Sequence, residues 1–298
     1  MHRDQLRADA ETVRRLLRDQ FPQWAALPVR PLTSAATVNA IFRLGDELAA
    51  RFPLLGSGVD EARSGLLAEA AASREFAEAC PVAAPLPVAV GEPGHGYPLP
   101  WSVHTWVPGR DATEQDPASS LRFAGDVTVL LRHLRSADTR GRTFSGPGRG
   151  GHLTDQDDWM DTCFHHSESL LDVPRLRGLW SELRRLPEVD GDVMCHGDLT
   201  PPNVLVAADR LTGVVDTGGF APADPALDLV VCWHLLEADA RQIVRESLDC
   251  GEVQWRRGMA WAFAQAMGLV WYYENSNPVM CSWGRRTLDR ITLSSGGR

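Results

Sequence analysis

Apolar and polar positions along the chain fall into three regimes. Residues 4 to 21 place Leu6, Val13, Leu16, Leu17 and Phe21 on one side of a helical wheel and Arg or Asp on the other, which predicts an amphipathic helix. From 29 to 52 the period shortens to that of strands. Val29 to Leu32, Val38 to Leu44 and Glu47 to Phe52, with Gly45-Asp46 as a turn, predict an antiparallel meander. The Ala-rich run from Ala62 to Cys80 is helical by propensity and closes at Pro81. Pro and Gly then dominate from Pro85 to Pro100 around a strand at Leu86 to Val90. Trp101 to Val107 is an apolar run ending at Pro108-Gly109, the expected link between two lobes.

Beyond the link, Ala118 to Ser136 reads as a helix, Asp138 to Leu153 as a loop, and Asp157 to Leu171 and Pro174 to Leu186 as further helices. Strand character returns at Val193 to Cys195, Val204 to Val206 and Leu211 to Val215. From Pro225 onward the pattern is helical, with Trp233, Trp255, Trp261 and Trp271 expected among packed helices. The expectation is an α+β chain. Residues 1–107 form a leading helix and a small antiparallel-sheet lobe, and residues 108–298 form a larger, mainly helical lobe.

A length of 298 residues exceeds what one core usually serves, in keeping with two lobes. The net charge of -9, without an Arg-rich stripe, argues against nucleic acid as a partner. The chain contains no lysine, so all 30 basic residues are arginine and any cationic step falls to Arg or His. The six cysteines are widely spaced without a C-x-x-C pair, which points to buried free thiols and away from zinc or redox chemistry. No segment reaches the roughly 20 apolar residues of a membrane span, and the first 21 residues lack the apolar core of a secretory signal. A cytoplasmic protein, monomer or homodimer, is expected.

Candidate chemistry concentrates in His196-Gly197-Asp198-Leu199-Thr200-Pro201-Pro202-Asn203, then Val204-Leu205-Val206, then Val214-Val215-Asp216. An Asp and an Asn five positions apart in a tight loop, followed by an Asp at a strand end, is what phosphoryl transfer needs. Asp198 can orient an acceptor hydroxyl and take its proton. Asn203 and Asp216 offer hard oxygens to Mg2+. The plainer alternative is that Asp198 and Asn203 only make turn hydrogen bonds, as such residues near proline often do. The full spacing weighs against it.

This stretch resembles the H-G-D-x-x-x-x-N catalytic loop of the aminoglycoside phosphotransferase family, antibiotic and small-molecule kinases of protein-kinase-like fold. The resemblance runs on through Asp216-Thr217-Gly218-Gly219-Phe220, the counterpart of the kinase D-F-G segment, into Asp224-Pro225-Ala226-Leu227-Asp228-Leu229. It implies a nucleotide-binding first lobe and a catalytic, acceptor-binding second lobe. It also implies ATP or GTP as co-substrate, and Asp224 and Asp228 as braces of the catalytic loop. Arg51 falls on the strand that carries the nucleotide-contacting cation, with Glu69 as its ion-pair partner. Trp101 to Val107, including His104 and Trp106, matches the hinge strand whose backbone contacts the purine. The loop from Thr33 to Thr37 has no glycine, so the hydroxyls of Ser34 and Thr37 would stand in for backbone contacts to phosphate.

The implied activity is transfer of the γ-phosphate to a hydroxyl of a small-molecule acceptor, an aminoglycoside or another antibiotic. A metabolite kinase acting on choline, a sugar or an amino alcohol would use the same site. A pseudokinase would fit the missing lysine and glycines, but retention of Asp198, Asn203 and Asp216 argues against it. For the acceptor, Asp155, Asp157, Asp158, Asp161, Glu237, Asp239 and Glu274 are carboxylates that could meet ammonium groups. Trp271, Tyr272 and Tyr273 are aromatics that could line its pocket.

Overall fold

A computed structural model of the chain describes residues 6–32, 39–56 and 58–295. Two compact units divide it. One comprises Met1–Glu78, Ala83–Pro108 and Val215–Gly219, and the other Ala79–Val82, Gly109–Val214 and Phe220–Arg298.

The first unit opens with helix α1, Ala10–Gln20. It starts later than the apolar pattern suggests because the Asp9 carboxylate accepts the Thr12 amide at 2.7 Å and caps the helix there. Strands β1 (Val29–Pro31), β2 (Asn39–Leu44) and β3 (Leu48–Pro53) form the expected meander. Helix α2 (Val59–Ala79) follows, then β4 (Pro87–Gly91) and β5 (Trp101–Thr105). The sheet is antiparallel in the order β1-β2-β3-β5-β4, so β5 lies inside it. Its core joins Val13, Leu16 and Leu17 of α1 to Phe42, Phe52, Trp101 and Val103 of the sheet. Phe52 stacks on Trp101 at 4.9 Å. Gly91 is required beside them, since a Cβ there would lie 2.3 Å from the Trp101 indole.

The second unit begins with β6 (Arg110–Asp111) and α3 (Leu121–Ser136), which starts three residues after Ala118 because Ser120 caps it, accepting from the Phe123 amide. Helices α4 (Asp157–His166) and α5 (Val173–Leu183) follow. The strands β7 (Val193–Cys195), β8 (Val204–Ala207), β9 (Arg210–Val214) and β10 (Ala221–Ala223) divide between two small sheets. β8 pairs with β9 and β6, whereas β7 pairs with β10. Both β6 and β10 are too short to show a period, and β10 carries Pro222. The helices α6 (Val230–Leu235), α7 (Ala238–Ser247), α8 (Glu252–Tyr273) and α9 (Pro278–Ser295) complete the unit. Trp233, Trp255 and Trp261 are buried among them, and Trp271 is only partly so. No helix among the described residues is long and apolar enough to cross a membrane.

Candidate active site

The candidate catalytic loop, His196 to Asn203, lies in the second unit, between β7 and β8. Gly197 sits at φ +82, a conformation that side-chain-bearing residues rarely adopt, and the turn it makes aims two successive amides at one carboxylate. His196 N–H donates to Asp228 Oδ2 at 2.7 Å and Gly197 N–H to Asp228 Oδ1 at 2.9 Å. Asp228 is thus the brace of the loop. Burial pushes its carboxyl above the usual range, while His196 and the two amides pull it back.

Asp224 does something else. It accepts from the Ala226 amide and, within the core, from Arg257 and Trp261 of α8, so it anchors the segment to that helix rather than bracing the loop.

Asp198 is held from three sides. The Asn203 amide nitrogen donates to its backbone oxygen at 2.9 Å and to Oδ2 at 3.0 Å. Arg149 Nη2 reaches Oδ1 at 3.0 Å, and Gln265 Nε2 the same oxygen at 3.4 Å. The 3-10 turn Pro201–Asn203 returns the chain so that Asn203 can make these bonds, with Asn203 N–H donating to Thr200 O. With Nδ2 turned to Asp198, the amide oxygen is the atom of Asn203 left to face a ligand.

Arg51, Glu69 and Asp216 come together in the first unit. Arg51 Nη2 donates to Asp216 Oδ1 at 2.8 Å. The ion pair expected between Arg51 and Glu69 is thus replaced by one with Asp216, though Glu69 stays within electrostatic reach. Burial raises the Glu69 carboxyl above its ordinary range, Arg51 lowers it and Asp216 raises it further. Gly218 is needed beside it, because a Cβ there would lie 3.0 Å from Glu69 Cβ and Cγ. Asp216 itself adopts φ +61, unusual for any residue but glycine.

The hinge strand departs from expectation in one respect. Trp106 N–H donates to Glu47 O at 2.7 Å and Thr105 N–H to Leu86 O at 2.9 Å, which removes both donors from those a purine could use. The Trp106 ring instead lies under the Arg43 guanidinium, 4.9 Å from its centroid. His104 is buried in the sheet with Nε2 3.0 Å from Ser102 Oγ, and burial, reinforced by Arg51 and Arg74, pushes its imidazole down to about 4. Ser34 and Thr37 lie outside the described residues.

Arg149 and Gln265, which touch Asp198, and His234, which touches Gln265, were not singled out from the sequence. Arg149 belongs to Gly146-Pro147-Gly148-Arg149-Gly150-Gly151, where a single arginine among four glycines was a signal. A cavity of about 330 Å³ is lined by Gly148, Arg149, Gln156, Trp159 and Gly197. Of the acidic candidates for an acceptor, Asp157 is engaged by Arg184 and Trp180, Asp161 by Arg177 and Glu237 by Arg290. Asp155, Asp158, Asp239 and Glu274 are exposed. Tyr272 is exposed and packs edge-on against Trp271 and Tyr273.

Residues 28–261 match the model of the phosphotransferase enzyme family. An aminoglycoside 3'-phosphotransferase of Streptomyces fradiae is 44% identical over 64 residues, 20% of this chain and 24% of the relative. One of Escherichia coli is 26% identical over 143 residues, 46% of this chain and 52% of the relative. The chain therefore spans about half or less of the curated relatives it matches. Among solved structures, the GDP complex of aminoglycoside 2'-phosphotransferase-IIIa superposes with TM-score 0.69 at 16% identity, covering 97% of this chain and 100% of that one. Macrolide 2'-phosphotransferase MphH from Brachybacterium faecium gives 0.61 at 16% identity, covering 94% and 98%. These likenesses establish the kinase-like fold.

Proposed function

The chain belongs to the phosphotransferase enzyme family, and from that premise we propose that it transfers the γ-phosphate of ATP or GTP to a hydroxyl of an antibiotic-type small molecule. The observation that carries this reading is the grip on Asp198. Asn203 holds Oδ2, Arg149 and Gln265 hold Oδ1, and a carboxylate so fixed is suited to orient a hydroxyl and receive its proton. Aminoglycoside phosphotransferases among the relatives, and a GDP complex among the structural neighbours, support the nucleotide and the acceptor class.

Asn203 and Asp216 would supply oxygens to magnesium, and the donor chemistry fits, since both present hard oxygen atoms. Among the described residues no cluster of three or more His, Cys, Asp or Glu forms a metal centre of its own, so phosphate and water would complete the shell. Bound there, magnesium would neutralise charge on the phosphates. Arg51 adds a cation whose guanidinium is oriented by Asp216, with Glu69 within electrostatic reach.

A binder without turnover is the second reading, favoured by the direct engagement of Arg51 with Asp216. The deciding experiment is radiolabelled phosphate transfer from ATP or GTP, with magnesium, across an antibiotic panel beside Asp198→Ala. Transfer lost in the variant supports catalysis. Nucleotide binding without transfer to any acceptor removes it.

A further inference from the structure

The cavity next to Asp198 is built in an unusual way for a site meant to receive cations. Its charged wall residue is Arg149, whose guanidinium sits 3.0 Å from the Asp198 carboxylate. That arginine is presented by a rigid loop. Gly148 and Gly150 adopt φ of +126 and +124, and a Cβ at Gly150 would lie 2.8 Å from Ala223 Cβ. The same loop is tied down at both flanks, by Gln156 Nε2 donating to Gly148 O at 3.0 Å and by Asp224 N–H donating to Gly150 O at 2.7 Å.

Trp159 forms the second wall. The residue is 42% exposed although its indole is anchored, with Nε1 donating to Ala264 O. Gly268 makes room for it, since a Cβ there would fall 2.5 Å from the ring. The Trp159 ring also meets Trp271, centroids 5.9 Å apart, and the rest of the indole is left open to solvent, where a flat apolar group can stack. Two of the carboxylates that could draw ammonium groups inward, Asp157 and Asp161, are paired with Arg184 and Arg177, whereas Asp155 and Asp158 are exposed.

We propose that the acceptor lays a flat face on Trp159 and places a carboxylate or comparable anionic oxygen on Arg149, and that polycations are poor acceptors. This rests on the phosphotransferase reading and narrows it. A guanidinium on a rigid loop can donate two parallel hydrogen bonds to a carboxylate, whereas an ammonium approaching Asp198 meets like charge first.

The test is titration calorimetry of the full chain with three probes. These are p-nitrophenyl glucuronide, with an aromatic face and a carboxylate; p-nitrophenyl glucoside, which lacks the carboxylate; and kanamycin, a polycation. The expected result is a Kd for the glucuronide about 10-fold or more below both others, the scale of one charge-assisted contact. Arg149→Gln should erase the advantage over the glucoside, and Trp159→Ala should weaken both nitrophenyl probes together. Tightest binding by kanamycin, equal binding of glucuronide and glucoside, or no binding of the glucuronide overturns the proposal. Should Arg149→Gln fail to fold, the glucuronide-to-glucoside ratio on the unaltered protein decides alone. Failure of the phosphotransferase reading shows separately, as absence of magnesium-dependent phosphate transfer from nucleotide, which these binding ratios do not measure.

Discussion

His234 Nε2 lies 2.7 Å from Gln265 Oε1, and that bond decides which end of Gln265 faces the Asp198 carboxylate. A neutral imidazole carrying its proton on Nε2 donates to the amide oxygen, while Nδ1 faces Thr287 Oγ1 at 3.0 Å. The amide nitrogen is then turned to Asp198. Burial keeps the ring neutral by pushing it down to about 4.

Gln265→Leu, which keeps the volume but removes the donor, should lower kcat by about 10-fold while nucleotide KM stays within about twofold, as expected for a positioning group. Steady-state kinetics beside a melting curve checks this. An unchanged kcat in the folded variant would mean that Asn203 and Arg149 suffice to hold Asp198.

Asp198→Asn keeps the shape of the side chain but removes the proposed acceptor of the hydroxyl proton. The expected fall in kcat is at least ~10²-fold, the usual contribution of a positioned acid-base group. Single-turnover phosphate transfer measures it.

Arg51→Ala removes the partner of Asp216 and the candidate phosphate-binding cation together. Nucleotide KM should rise by about 10-fold or more, the scale of a charge-assisted contact, with a smaller change in kcat. Unaltered nucleotide affinity by fluorescence titration would place that cation elsewhere.

Asp228→Ala leaves the His196 and Gly197 amides without their acceptor in the interior. A loss of about 2–4 kcal/mol follows from orphaning buried donors of this kind, to be read from urea unfolding.

Acid should destabilise the fold through His104 and His234. Burial pushes each ring down to about 4 in the folded chain, below the ordinary range of a free imidazole near 6.5, so the unfolded chain binds more protons between those values. Stability is therefore fully present above about pH 6.5 and falls as pH drops toward 4, by on the order of 1–3 kcal/mol per ring. Calorimetric Tm from pH 7 to pH 5 tests the slope, which should flatten in His104→Gln.

Much of the fold was legible because local signals decide it. The meander from Val29 to Phe52 alternates apolar and polar positions around Gly45-Asp46, and the long helices carry apolar stripes. The loop from His196 to Asn203 was equally legible, since a glycine, two prolines and the spacing of Asp198 and Asn203 constrain one turn with few solutions. By itself the sequence determined which residue types carry the candidate chemistry. Tertiary structure decided whom they touch. Arg51 was read as the partner of Glu69 but bonds Asp216, 165 positions away, and Trp106 gives its amide to Glu47. Arg149 and Gln265 meet at one oxygen of Asp198 from 49 positions before it and 67 after it. Local periodicity reports which face of an element is apolar, whereas a polar contact across such separations depends on how whole elements pack, and no short-range pattern encodes that.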